Sequence, residues 1–191
     1  MQHLLIAWIA IAFAFAYVFV PRGSTLQDRF IVSLFTVGVG FLLHELAHKV
    51  VAQRYNLWAE FRMSPTMLML AVGLAYLWGV LLAAPGAVYI SGSYITSKQN
   101  GRIAAAGPLT NVILATIFLL ISTQSFFLEE LGRYGWYAIV LGVQINLWLA
   151  ALNMIPFSVF DGKKVFAWSK TVFAGLFLLI ILMWIVAGTM L

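Results

Sequence analysis

His44, Glu45 and His48 fall within five residues of one another, inside a largely apolar run from Phe30 to Ala52. Their types are scarce in this chain, which holds 3 His and 6 Asp or Glu in 191 residues. Histidines at i and i+4 share one face of a helix, so His44 and His48 can grip one metal ion from the same side. Glu45 stands beside that pair, placed to take a proton from a water on the metal. This is the H-E-x-x-H spacing, for which zinc is the usual ion. A charged side chain in a membrane helix costs about 2.5–3.5 kcal/mol on insertion scales, and a metal gives Glu45 a reason to be there. The same three residues could instead form a structural polar cluster, or carry protons in a proton-coupled membrane transporter.

Catalytic zinc usually takes three protein ligands and leaves a fourth position open. The third has to come from outside the run. The chain has no cysteine, which removes thiolate ligands, thiol nucleophiles and disulfides together. The remaining histidine is His3 at the terminus, and the remaining acids are Asp28, Glu60, Glu129, Glu130 and Asp161. Glu60 sits beside Arg54 and Arg62 in a segment that reads as interfacial. Asp161 follows an apolar helix broken by Pro156, in Asn153-Met-Ile-Pro156-Phe-Ser-Val-Phe-Asp161-Gly162. Proline ends regular helix and Gly162 permits an unusual backbone angle, so an unwound stretch can aim the carboxylate. Alone, Asp161-Gly162 reads as a plain turn.

The elements that must carry these residues are membrane helices. The chain is 63% hydrophobic and 9% charged, against about 25% charged in a globular domain. A water-soluble enzyme, a disordered chain and a nucleic-acid reader are all excluded. The last is excluded despite a pI near 9.7, because 11 cations scattered among apolar runs make no basic stripe. The expectation is an all-α polytopic membrane protein, one domain over 1–191 with no separate soluble domain. A bilayer core of about 30 Å needs roughly 20 apolar residues per helix. The runs are Leu4 to Val20, Phe30 to Ala52, the 35 residues 63–97, Ile103 to Gln124, Trp136 to Ile155, and Thr171 to Leu191. The first lacks a basic flank and a cleavage site, so it reads as a retained span, ended by Pro21, Arg22 and Gly23.

Whether the spans number five or six depends on 63–97. His44 and His48 lie towards the end of the second run and Asp161 just beyond the fifth. They can meet only if an even number of crossings separates them. The 63–97 segment should therefore enter and leave on one face, as a re-entrant loop, a short hairpin or embedded strands. Gly73, Gly79, Pro85, Gly86 and Gly92 interrupt it, and Gly86 to Gly92 reads as extended. Asp28, Glu129 and Glu130 then lie on the wrong side to be ligands. Cation counting agrees: five spans leave 8 Lys or Arg on one side and 3 on the other, whereas six leave 7 and 4. The expected orientation has the N-terminus cytoplasmic and the site nearer the cytoplasmic face of a prokaryotic cell membrane. Lys163 and Lys164 would meet anionic headgroups there.

The two motifs together resemble those of the site-2 protease family of intramembrane zinc metalloproteases, which carries H-E-x-x-H on one helix and N-x-x-P-x-x-x-x-D-G on a later one. Here they are His44–His48 and Asn153–Gly162, at the family spacing. Gly107-Pro108-Leu109-Thr110-Asn111 is similar to the signature of the helix between them. The resemblance covers roughly residues 30–165. Phe160 stands where Leu is common, and Lys163 where a second Gly is common. The resemblance implies one zinc ion per chain held by His44, His48 and Asp161, with Glu45 as general base and acid. It implies a substrate that is the transmembrane helix of another protein, cut within the lipid bilayer to release a tethered regulator. A helix must unwind to be cut, because its carbonyls are internally bonded. Asn111 and Asn153 would then bond the substrate backbone or the developing oxyanion, or else act as helix–helix glue. The extended Gly86–Gly92 stretch could pair with an unwound substrate by strand addition, or serve as a plug.

Overall fold

The computed structural model describes residues 2–18, 25–78, 86–92 and 94–191, with side chains left aside for 78 and 125–134. Pro21, Arg22, Gly23, Gly79 and Pro85 lie outside the described residues, as do the side chains of Glu129, Glu130 and Arg133. The chain is mostly helical. Among the described residues four helical stretches are long and apolar enough to cross a membrane: Leu26–Arg54, Ser97–Ser122, Gly135–Asn153 and Lys170–Met190. Two shorter apolar helices, Gln2–Val18 and Pro65–Leu77, accompany them.

In chain order, α1 is Gln2–Val18, and α2 (Leu26–Ser33) leads through a π-helical turn, Leu34–Gly38, into α3 (Val39–Arg54). The wider turn has a visible support. Trp8 of α1 donates its indole N–H to the Leu34 carbonyl at 3.3 Å, and a Cβ on Gly38 would strike that same ring. α3 then stops abruptly. Asn56 adopts φ 55°, its N–H bonds the Gln53 carbonyl at 2.9 Å, and the Leu57 N–H reaches back to Ala52 at 3.2 Å. This is a Schellman stop, in which Asn tolerates the left-handed conformation that other side chains resist. Leu57 packs with Ala52 and Ile103, which fixes the direction in which the chain leaves.

It leaves as β1 (Trp58–Met63), followed by α4 (Pro65–Trp78) and β2 (Gly86–Ser91). β1 and β2 pair antiparallel, Trp58 opposite Ser91 and Met63 opposite Gly86. The chain is therefore not purely α-helical, and the 63–97 stretch is not one helix. β1 alternates as strands do: Ala59 and Phe61 are buried, while Trp58 and Arg62 are exposed. Phe61 meets Phe41 of α3 edge-to-face at 5.8 Å, which seats the sheet against the turn of α3 just before His44.

α5 (Ser97–Ser122) begins at a capping box in which Thr96 and Gln99 satisfy each other's backbone N–H groups. α6 (Ser125–Asn153) packs along it, and Met154, Ala150, Val165 and Ile180 form a core with Ala104 and Val112 of α5. An irregular passage with Ser158 at φ 53° leads to α7 (Asp161–Trp168) and then to α8 (Lys170–Met190). The stretch broken at Pro156 is thus unwound as expected, and Asp161 itself opens the helix that follows. Gly162 is helical too. Its small size matters because a Cβ there would run into the backbone of Met154 and Ile155, so α7 tucks directly under the end of α6.

Candidate metal centre

His44 and His48 sit one turn apart on α3, buried, with rings edge-to-face at 4.7 Å. Asp161, also buried, comes in from the start of α7. Its Oδ2 lies 3.3 Å from His44 Nε2 and 3.1 Å from His48 Nε2. Among the described residues these three form the one group of His, Asp or Glu with ligand atoms all within 4.8 Å of one another. Glu60, the other acid on this side by sequence, lies on β1 and pairs with Arg62 at 3.3 Å.

The hydrogen bonds behind the histidines decide which ring nitrogen faces the centre. His48 Nδ1 is 2.8 Å from the Ile103 carbonyl, which can only accept. His48 therefore carries a proton on Nδ1, and in the neutral ring Nε2 turns its lone pair towards Asp161. His44 Nδ1 lies 2.5 Å from Asn111 Oδ1, with the same result. With both rings neutral, two imidazole lone pairs and a carboxylate oxygen face one another, a repulsion that a ring proton or a metal cation between them relieves. Tetrahedral zinc with bonds of about 2.0–2.1 Å sets neighbouring ligand atoms about 3.3–3.4 Å apart. The measured 3.1 and 3.3 Å agree with that edge, and a donor set of two nitrogens and one oxygen suits the ion.

α5 backs this arrangement at three levels. Ile103, Gly107 and Asn111 recur every four residues and so share one face. Ile103 supplies the carbonyl for His48 and Asn111 the amide oxygen for His44. Between them a Cβ on Gly107 would sit 2.5 Å from Nε2 of both histidines. The residue that the sequence marked only as part of a signature is the one that lets the ligand edge approach.

The centre opens into a cavity of about 700 Å³ lined by Glu45, Asn153, Lys164, Tyr89 and Arg62 among others. Glu45 is buried next to the histidines and faces this space. Asn153 lines the cavity, with its amide N–H on the Leu149 carbonyl at 3.0 Å. Asn111 does not line it. Its side chain is fully buried, and both amide protons are spent on Gly40 O at 3.2 Å and Asn146 Oδ1 at 2.9 Å.

Sequence reasoning missed two neighbours. Lys164, expected among headgroups, has Nζ 3.4 Å from Asp161 Oδ1, the carboxylate oxygen that does not face the histidines. The signal was the i,i+3 spacing, which matters only once α7 is seen to begin at Asp161. Asn146 reaches Asn111 at 2.9 Å, a contact that depends on how α5 and α6 pack.

Comparisons with known proteins cover the helix of His44, Glu45 and His48. A family model described as peptidase family M50 matches residues 32–134. MJ0611 of Methanocaldococcus jannaschii, named provisionally as a zinc metalloprotease, is 43% identical over 171 residues, or 90% of this chain and 85% of its own length. The zinc metalloprotease MJ0392 of the same organism is 30% identical over 127 residues, or 66% of this chain and 31% of its own length. No solved structure matches the chain.

Proposed function

The chain belongs to peptidase family M50, the site-2 protease family, and from that premise we propose that this membrane-embedded zinc metalloprotease cuts a peptide bond within the transmembrane helix of another membrane protein. The observation that carries the reading is the convergence of His44, His48 and Asp161 on one point, with Glu45 in the same cavity. Those three residues would hold the ion. A zinc ion there would supply Lewis-acid polarisation of the scissile carbonyl and a lowered pKa, about 7, for the attacking water. Glu45 takes the proton of the attacking water and returns it to the leaving amine. Lys164 holds the outer carboxylate oxygen of Asp161, and Asn153 offers the substrate backbone a polar partner at the cavity wall.

The substrate enters in extended form. Its unwound segment lies along β2, whose residues Gly86 to Ile90 line the cavity and whose second edge has no strand partner among the described residues. Main-chain pairing at such an edge gives affinity without sequence demand. We read the topology as five crossings: α1, α2 with α3, α5, α6 and α8. The β1–α4–β2 segment returns to the face it entered from, a reading supported by the antiparallel pairing of its two ends. The chain acts as one domain, core 30–165, with the N-terminus cytoplasmic and the centre nearer the cytoplasmic face of a prokaryotic membrane.

The test uses the full chain in detergent with a transmembrane substrate and a metal assay. Wild type cleaves, and a chelator stops it. Glu45→Gln keeps its zinc and loses cleavage by roughly 10²–10⁴-fold, the usual contribution of general acid–base catalysis. Persistent cleavage by Glu45→Gln would sink the protease assignment of that residue. A chain without zinc in which Asp161→Ala changes nothing would instead leave the buried His and Glu to a transporter role.

A further inference from the structure

The polar groups behind His44 form a chain whose direction is set entirely by backbone carbonyls. At one end the Gly142 carbonyl can only accept, so the amide that meets it at 2.8 Å is Asn146 Nδ2. Asn146 must then turn its Oδ1 towards Asn111, and the contact is 2.9 Å. The Gly40 carbonyl, 3.2 Å from Asn111, independently demands an N–H from the same amide. Both requirements leave Asn111 Oδ1 as the only group that can face His44 Nδ1. Asn111 and Asn146 are each 0% exposed, so water does not compete for these bonds. Gly40 is part of the fit, because a Cβ there would stand 2.6 Å from Asn146 Oδ1.

We propose that Asn111 and Asn146 are positioning residues that hold His44 in the tautomer with its proton on Nδ1, so that Nε2 is free for zinc. The inference deepens the metal-site reading above and rests on it. His48 takes the same tautomer from the Ile103 carbonyl, a group that no substitution can remove. His44 depends on two side chains and so is the ligand open to mutation at a distance. Asn111 does not contact substrate: both of its amide protons are engaged away from the cavity. Outer partners of metal-bound histidines typically change metal affinity 10–100-fold when lost.

The experiment measures zinc affinity of the full chain in detergent by competition with a chromogenic chelator, and the thermal midpoint of each apo form. Asn111→Leu fills about the same space without an acceptor and is expected to weaken zinc binding 10–100-fold, with an apo midpoint below wild type because Gly40 O and Asn146 Oδ1 lose their donor. Asn111→Asp keeps an acceptor for His44 Nδ1 while giving up the N–H groups to Gly40 and Asn146, and should bind zinc more tightly than Asn111→Leu. Asn146→Leu removes only the far support and should weaken binding several-fold. Should Asn111→Leu fail to fold, the Asp and Asn146 variants decide. The proposal is overturned if a folded Asn111→Leu binds zinc as wild type does, if Leu and Asp at 111 weaken it alike, or if Asn146→Leu has no effect. His44→Ala separates the two readings. Loss of zinc there with full affinity in Asn111→Leu defeats only the relay, whereas full affinity in His44→Ala defeats the metal site itself.

Discussion

At the scale of single residues, the centre is governed by what is small as much as by what is charged. Gly107 leaves a gap for the edges of both histidines, and a methyl placed 2.5 Å from each Nε2 must move one ring or the helix. Overpacking of this kind costs about 1–3 kcal/mol. Gly107→Ala is therefore expected to lower zinc occupancy by roughly tenfold or more, measured as metal content after equilibration at fixed free zinc. His44, Glu45 and His48 were legible in the sequence because i,i+4 spacing survives any packing of the helix that carries it. Asp161 was legible because the chain offers so few acids and no cysteine. The work of Asn111 was not legible, because its polarity is dictated by the carbonyl of Gly40, some seventy residues away. The contact of Lys164 with Asp161 was not legible, because its partner lies one turn back on a helix whose start could not be read.

At the scale of elements, the sharp exit from α3 does the most to shape the cavity. The turn at Asn56 puts β1 against α3 and α5 within ten residues of His48. A β-branched residue pays about 1–2 kcal/mol for the left-handed conformation, and glycine pays nothing. Asn56→Val should lower the thermal midpoint, while Asn56→Gly should hold or raise it. A calorimetric or fluorescence melt checks both, and equal effects would mean that the turn does not limit stability. The strand that follows had a signal that was overlooked. Trp58, Glu60 and Arg62 alternate with Ala59, Phe61 and Met63, the period of two that marks a half-buried strand. The later strand was easier to see, since glycines flank it. The π-helical turn could not be foreseen, because Trp8 supports it from another helix.

At the scale of the whole molecule, an ion held by His44, His48 and Asp161 would tie α3 to α7, elements that otherwise meet mainly through α5. Binding to the folded state alone adds RT ln(1 + [L]/Kd), or about 1.4 kcal/mol for each tenfold excess of zinc over its Kd. The thermal midpoint should therefore climb with free zinc in the wild type and stay flat in Asp161→Asn. A parallel slope in that variant would place the stabilising ion elsewhere. Topology has its own test, helped by the absence of native cysteine. Cysteines introduced at Arg54 and Lys98 should react with an impermeant thiol reagent from the same side, and labelling from opposite sides would refute five crossings. More than a hundred residues separate His48 from Asp161. At roughly 5–20 residues per second, a ribosome needs on the order of ten seconds to travel from one to the other. Throughout that interval the helix bearing Glu45 has no carboxylate opposite it. A centre built from His44, His48 and Asp161 would therefore stay incomplete until the ribosome has passed Asp161.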